Sequence, residues 1–103
     1  MNAVKCLGRT EAQDLVRHCL KDGYVVLSRH FKDELANDCL DTEDALYILR
    51  HGHILREPEL DIKTGEWKYR LEGRTPDGIR IAVVFSFKRV DMCFLITIFT
   101  ITS

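Results

Sequence analysis

The sequence is poor in the residues that build flexible linkers, and it contains no long hydrophobic run. It has 2 prolines and 6 glycines in 103 residues, so we expect a single domain over residues 1–103 with no extended linker. The most apolar stretch, residues 93–101, is about half as long as a membrane-spanning helix. The first ten residues lack the apolar core of a secretory signal peptide. These absences predict a cytoplasmic protein without a membrane partner.

Neither sign of charge dominates the chain. Lys and Arg number 15, Asp and Glu number 16, and the formal net charge is −1. This balance excludes a uniformly basic nucleic-acid-binding protein of the histone kind, so any surface for RNA is expected to be a local patch. The four cysteines, at positions 6, 19, 39 and 93, show no C-x-x-C spacing, and we interpret them as reduced thiols.

The sequence lacks the motifs of phosphate-binding loops, serine hydrolases and zinc peptidases. His51 and His53 are separated by one residue, which fits either a metal site or a helix C-terminus stabilised by histidine charge. No cysteine or acidic residue has a spacing that completes a metal site with them. We therefore predict no metal and no cofactor.

Hydrophobic periodicity changes near Gly52, from a helical repeat to the two-residue alternation of strands. Thr10 is expected to cap the first helix, with Gln13 completing a capping box, and Ser28 to cap the second. The last strand is apolar on both faces, which predicts an interior strand that pairs in parallel with the first. The predicted helices span residues 10–21, 29–38 and 41–51, and the predicted strands span residues 24–27, 53–60, 66–73, 80–87 and 93–101. The fold class is therefore α+β, with N-terminal helices packed on a mainly antiparallel sheet of four to five strands.

The predicted strand at 66–73 alternates cleanly between apolar and polar residues. Its apolar face, expected in the core, consists of Trp67, Tyr69 and Leu71, and its polar face consists of Lys68, Arg70, Glu72 and Arg74. Arg80 from the next strand, and Arg56 or Glu57 from the preceding one, are expected to join the polar face. This face is either a phosphate-binding surface with a titratable group or the solvated side of a half-buried strand. If Arg70 is exposed and unpaired, its replacement by Ala should change stability by less than about 0.5 kcal/mol.

A second candidate lies at the junction of the first strand and the second helix, where Ser28, Arg29 and His30 follow one another. A helix N-terminus exposes unpaired N–H groups and attracts anions, so His30 is a candidate for proton transfer or phosphate binding there. The alternative is a histidine that hydrogen-bonds a neighbouring carbonyl.

The order of four segments resembles that of a known family. These segments are residues 28–30 (SRH), 44–54 (DALYILRHGHI), 68–73 (KYRLEG) and 95–99 (LITIF). Together they resemble a family of small bacterial proteins that is catalogued as a domain of unknown function and usually grouped with the RelE/ParE-like toxins. The resemblance covers residues 24–101 and leaves the helix at 10–21 outside. Two departures are Phe99, where related sequences often have tyrosine, and the near-neutral charge.

The resemblance implies a RelE/ParE-like α+β fold, ribonuclease activity and an antitoxin partner. The first hypothesis is a toxin of a type II toxin–antitoxin pair that acts as a metal-independent endoribonuclease on mRNA, free or ribosome-bound, with its antitoxin encoded by a neighbouring gene. The alternative is a non-enzymatic protein-binding module of the same fold. RNA cleavage needs activation of the 2′-hydroxyl, stabilisation of the phosphorane charge and a proton for the leaving oxygen. The candidate catalytic residues are His30, Glu57, Lys68 and Arg70, and the candidate RNA-binding residues are Arg56, Arg74 and Arg80.

Overall fold

Three helices and six strands make up the computed structural model, which describes residues 4–102. The helices are α1 (Arg9–Asp22), α2 (Arg29–Asn37) and α3 (Thr42–His51). The strands are β1 (Tyr24–Leu27), β2 (His53–Ile54), β3 (Glu59–Leu60), β4 (Trp67–Arg74), β5 (Arg80–Arg89) and β6 (Met92–Thr100). The predicted element order and the α+β class are confirmed, with six strands where four to five were expected.

All six strands belong to one mainly antiparallel sheet. The main path runs β1-β6-β5-β4-β2, and β3 pairs with β4 beside it. The predicted parallel pairing of the first and last strands is confirmed, with Val25 opposite Cys93 and Leu27 opposite Leu95. Strand β6 lies between β1 and β5, which explains why it is apolar on both faces.

The predicted strand at 53–60 is wrong in one respect, because it is interrupted. Both of its halves pair with β4, Ile54 opposite Leu71 and Glu59 opposite Lys68. Between these two pairs lie four residues of the edge segment, 55–58, but only two residues of β4. The edge segment therefore bulges outward. Residue 58 is a proline, which has no N–H to donate and is tolerated only at strand edges and bulges.

The helices cover one face of the sheet, and the core lies between the two layers. Alternate residues of β5 are buried against the helices: Ile81, Val83, Phe85 and Phe87. Tyr69 and Leu71 of β4 are buried with them, and Trp67 is half-buried at the start of the strand. Alternation along β4 and β5 leaves the polar side chains on the opposite side, which we call the outer face.

Helix capping agrees with the sequence at α2 and differs at α1. Ser28 Oγ accepts the Phe31 N–H at 3.0 Å, as predicted. Helix α1 begins after Gly8, whose N–H donates to Glu11 Oε1 at 3.1 Å, so the predicted cap on Thr10 is wrong. Gln13 makes no capping box because its Oε1 instead accepts the Ile54 N–H at 2.7 Å. This amide holds α1 against the start of the interrupted edge strand.

Candidate functional site

A cleft of about 270 Å³ opens on the outer face at the break in the edge strand. Its charged lining residues are Arg56, Glu57, Glu59, Lys68 and Arg70. Tyr69, Val84, Ile96 and Thr97 complete the walls. It thus combines three cations and two carboxylates with a tyrosine, a threonine and two aliphatic side chains.

Two irregularities of the sheet produce this cleft. The four residues 55–58 bulge away from β4 and carry two of the charged side chains. On β6, Thr97 pairs with Val84 while Leu95 pairs with Phe85, so Ile96 is an extra residue at a register shift. Bulges of this kind re-aim side chains and are common next to functional sites. The cleft therefore lies where regular strand pairing is interrupted on both sides of β4 and β5, at the edge segment beside β4 and on β6 beside β5.

Arg70 is held in place by two neighbours. Its Nε lies 2.8 Å from Glu72 Oε2, and its guanidinium carbon lies 5.0 Å from the centre of the Phe99 ring. The Nε–H is not aligned on that oxygen, and Nε has no hydrogen-bond partner among the described residues, so the contact is an attraction between charges. Arg56 Nε lies 3.7 Å from the same carboxylate oxygen.

The sequence analysis expected Arg70→Ala to have little effect on stability if Arg70 is exposed and unpaired. These contacts show that this condition is not met. The Arg70 side chain is 22% exposed and that of Glu72 is 13% exposed, so the pair is largely buried. Arg70 is neither exposed nor unpaired, because alternation places it beside a partner on its own strand.

The cleft brings together four of the seven predicted site residues: Arg56, Glu57, Lys68 and Arg70. Arg74 and Arg80 face each other across β4 and β5 on the same outer face, outside the cleft lining. His30 lies in the first turn of α2, where its Nε2 is 3.9 Å from Glu34 Oε2. The cleft lining does not include it.

Glu59 is the site residue that the sequence analysis missed. An uninterrupted strand starting at His53 opposite Glu72 would place Glu57 opposite Lys68. The two extra residues of the bulge put Glu59 there instead. Glu57 is displaced outward, where its carboxylate accepts from Arg9 Nη2 at 3.1 Å and stays 82% exposed. The only sequence signal of this change in register is the proline at position 58.

In the part of the chain described, metal binding has little support, and the buried Cys19 thiol is a poor nucleophile. Residues 4–102 contain no group of three or more His, Cys, Asp or Glu side chains that would hold a metal ion. His51 lies against the Tyr47 ring, with centroids 4.5 Å apart. Burial, with a smaller contribution from Asp91, raises the pKa of the Cys19 thiol to about 11, so this thiol stays protonated at neutral pH.

A protein-family model described as "Domain of unknown function (DUF4258)" matches residues 27–100. The chain belongs to this family. No curated protein and no solved structure gave a match. The match confirms the resemblance to a domain of unknown function over nearly the expected range, and α1 of this DUF4258 chain lies outside it. None of the described helices is both long and apolar enough to cross a membrane.

Proposed function

We propose that this DUF4258 chain is a metal-independent endoribonuclease that acts on mRNA as the toxin of a type II toxin–antitoxin pair. The supporting observation is the outer-face cleft, which places three cations and two carboxylates around one space of about 270 Å³. Cations position phosphate and stabilise its developing charge, and carboxylates move protons. Three helices on a mainly antiparallel sheet are compatible with a relation to RelE/ParE-like toxins, which forms part of the proposal.

The proposed reaction uses only side chains of the cleft. The carboxylate of Glu59 or Glu57 removes the proton of a 2′-hydroxyl, and this oxygen attacks the adjacent phosphorus. An O2′–P bond forms and the P–O5′ bond breaks, leaving a 2′,3′-cyclic phosphate. The Lys68 ammonium donates a proton to the departing 5′-oxygen, and Arg70 stabilises the phosphorane charge. His30 has no role in this scheme, because it does not line the cleft.

Incubation of the purified protein with end-labelled RNA in a chelator tests this proposal. We expect products that end in a 2′,3′-cyclic phosphate. Lys68→Ala should reduce the cleavage rate about 10²–10⁴-fold, the typical contribution of a general acid. Lys21→Ala is the matched control, because Lys21 is an exposed cation in the last turn of α1, in the helix layer. Equal rates for the wild type and Lys68→Ala would refute the assignment of the cleft.

Expression in a bacterium tests the toxin assignment. Induction of the wild-type chain should stop growth and cleave transcripts, and co-expression of the proposed antitoxin gene beside it should restore growth. Growth arrest by Lys68→Ala at the same expression level, without transcript cleavage, would contradict the enzymatic hypothesis.

That outcome would favour the alternative, a protein-binding module of the same fold. The observation in its favour is the exposure of three apolar side chains within residues 55–62, where Leu55 is 59% exposed, Leu60 48% and Ile62 89%. Exposed apolar side chains are typical of docking sites when they form one patch. In this case Leu60→Ser combined with Ile62→Ser should abolish the arrest while Lys68→Ala preserves it.

A further inference from the structure

Two arginines of the outer face lie directly opposite each other. Arg74 at the end of β4 pairs in register with Arg80 at the start of β5. Directly opposed side chains in an antiparallel pair have Cβ atoms about 5 Å apart, and like charges there destabilise the sheet. Opposite charges at such positions stabilise a sheet, so this pair of like charges works against local stability.

No carboxylate among the described residues forms an ion pair with either arginine. Arg74 Nη1 donates to the Gly78 carbonyl at 3.2 Å. Glu72, the preceding outward residue of β4, contacts Arg70 and Arg56 instead. The two guanidinium groups are thus left as a cationic pair at one end of the sheet, which we call the arginine pair.

We infer that the arginine pair binds a phosphate of the RNA strand, as a second anion subsite beside the cleft. Guanidinium groups match phosphate oxygens bidentately, and an anion between them would convert the repulsion into attraction. This inference rests on the proposed function and adds the length of RNA that the protein binds. Arg74 lies four residues beyond Arg70, or about 13 Å along β4 at about 3.3 Å per residue. The bound RNA is therefore a strand of several nucleotides laid along β4.

The repulsion itself is tested by thermal unfolding without any ligand. Arg80→Glu would place a carboxylate opposite Arg74, and we expect the melting temperature to rise by about 1–5 °C. Lys63→Glu is the matched charge reversal, at an exposed position in the turn between β3 and β4, and it should give no rise. A melting temperature of Arg80→Glu at or below that of the wild type would remove the physical basis of the inference.

Phosphate binding is tested with 2′-O-methyl oligonucleotides, which bind but cannot be cleaved through the 2′-oxygen. For the wild type, affinity should rise about tenfold as the length increases from two to six nucleotides. Arg74→Ala combined with Arg80→Ala should abolish this gain and flatten the logarithmic salt dependence by about 0.7 for the phosphate lost. Lys21→Ala combined with Lys63→Ala, which removes the same charge elsewhere, should retain the gain.

The outcomes separate this inference from the proposed function. If the double arginine variant keeps the full gain with length, the second subsite is refuted, and cleavage by the wild type would still support the cleft. If the wild type cleaves no RNA yet loses its gain with length in the double variant, the subsite is supported and the nuclease proposal fails. If a polyglutamate peptide binds the arginine pair and the oligonucleotides do not, the partner is an acidic protein and the inference is wrong.

Discussion

Replacement of Arg70 by Ala tests how much the charge cluster of the outer face contributes to the stability of the fold. This substitution removes the charge 2.8 Å from Glu72 Oε2 and leaves that carboxylate, 13% exposed, with only Arg56 Nε at 3.7 Å. A buried charged group that loses its main partner costs about 1–3 kcal/mol, and the lost contact with the Phe99 ring adds about 0.5–1 kcal/mol. We therefore expect a loss of about 1.5–4 kcal/mol of unfolding free energy.

Urea denaturation of a double-mutant cycle measures this effect. Arg70→Ala combined with Glu72→Ala should lose less stability than the sum of the two single variants, because no unpaired carboxylate remains. Arg80→Ala is the matched control, an arginine on the same face whose removal should be neutral or stabilising because it relieves repulsion. An Arg70→Ala variant within about 0.5 kcal/mol of the wild type would refute the reasoning.

Two further predictions concern the junction of α1 and β1 and the buried thiol beside it. Gly23→Ala would press a methyl group against the Asp91 carbonyl oxygen, so we expect a loss of about 1–3 kcal/mol in urea; Gly8→Ala, with contacts no closer than 3.6 Å, should lose less. Burial raises the pKa of Cys19 from 9.0 to about 11, so the folded chain keeps a proton that the unfolded chain releases. Stability should be full below pH 9 and fall between pH 9 and 11. Burial also raises the pKa of the Cys93 thiol, so Cys19→Ala should make this fall smaller without removing it. An unfolding free energy for the wild type that does not fall across that range would contradict the prediction.

Because Arg70 is part of a charge cluster, stability and activity must be separated in any test of the cleft. Loss of RNA cleavage in Arg70→Ala has two explanations, misfolding or loss of phosphate stabilisation. Lys68 is a cleaner probe, since no ion pair to a described carboxylate is seen for it within 4.0 Å. Its position opposite Glu59 also tests whether the bulge positions that carboxylate.

Local patterns predicted the elements that depend on near neighbours. The hydroxyl of Ser28 caps α2, and α3 ends before Gly52, both as predicted. The Asp41 and Asp44 side chains accept each other's backbone N–H at the start of α3, a capping box that the sequence analysis did not identify. Such signals act over three or four residues, so they can be read without the tertiary structure. The first helix shows the limit of such local signals. The Gln13 side chain does not cap the helix, because its Oε1 accepts the N–H of Ile54, 41 positions away.

The amino-acid sequence by itself determined the order of helices and strands, the inward face of the sheet, the parallel pairing of its first and last strands and the charged residues that β4 places on the outer face. These features follow from periodicity, because alternation assigns every strand residue to one of two sides. Only the tertiary structure decided which charges meet. The excess of two residues at 55–58 shifts the edge register and brings Glu59 opposite Lys68, while the register of β4 and β5 opposes Arg74 and Arg80. Register depends on pairing between distant segments, and a bulge changes it without a clear mark in the local pattern.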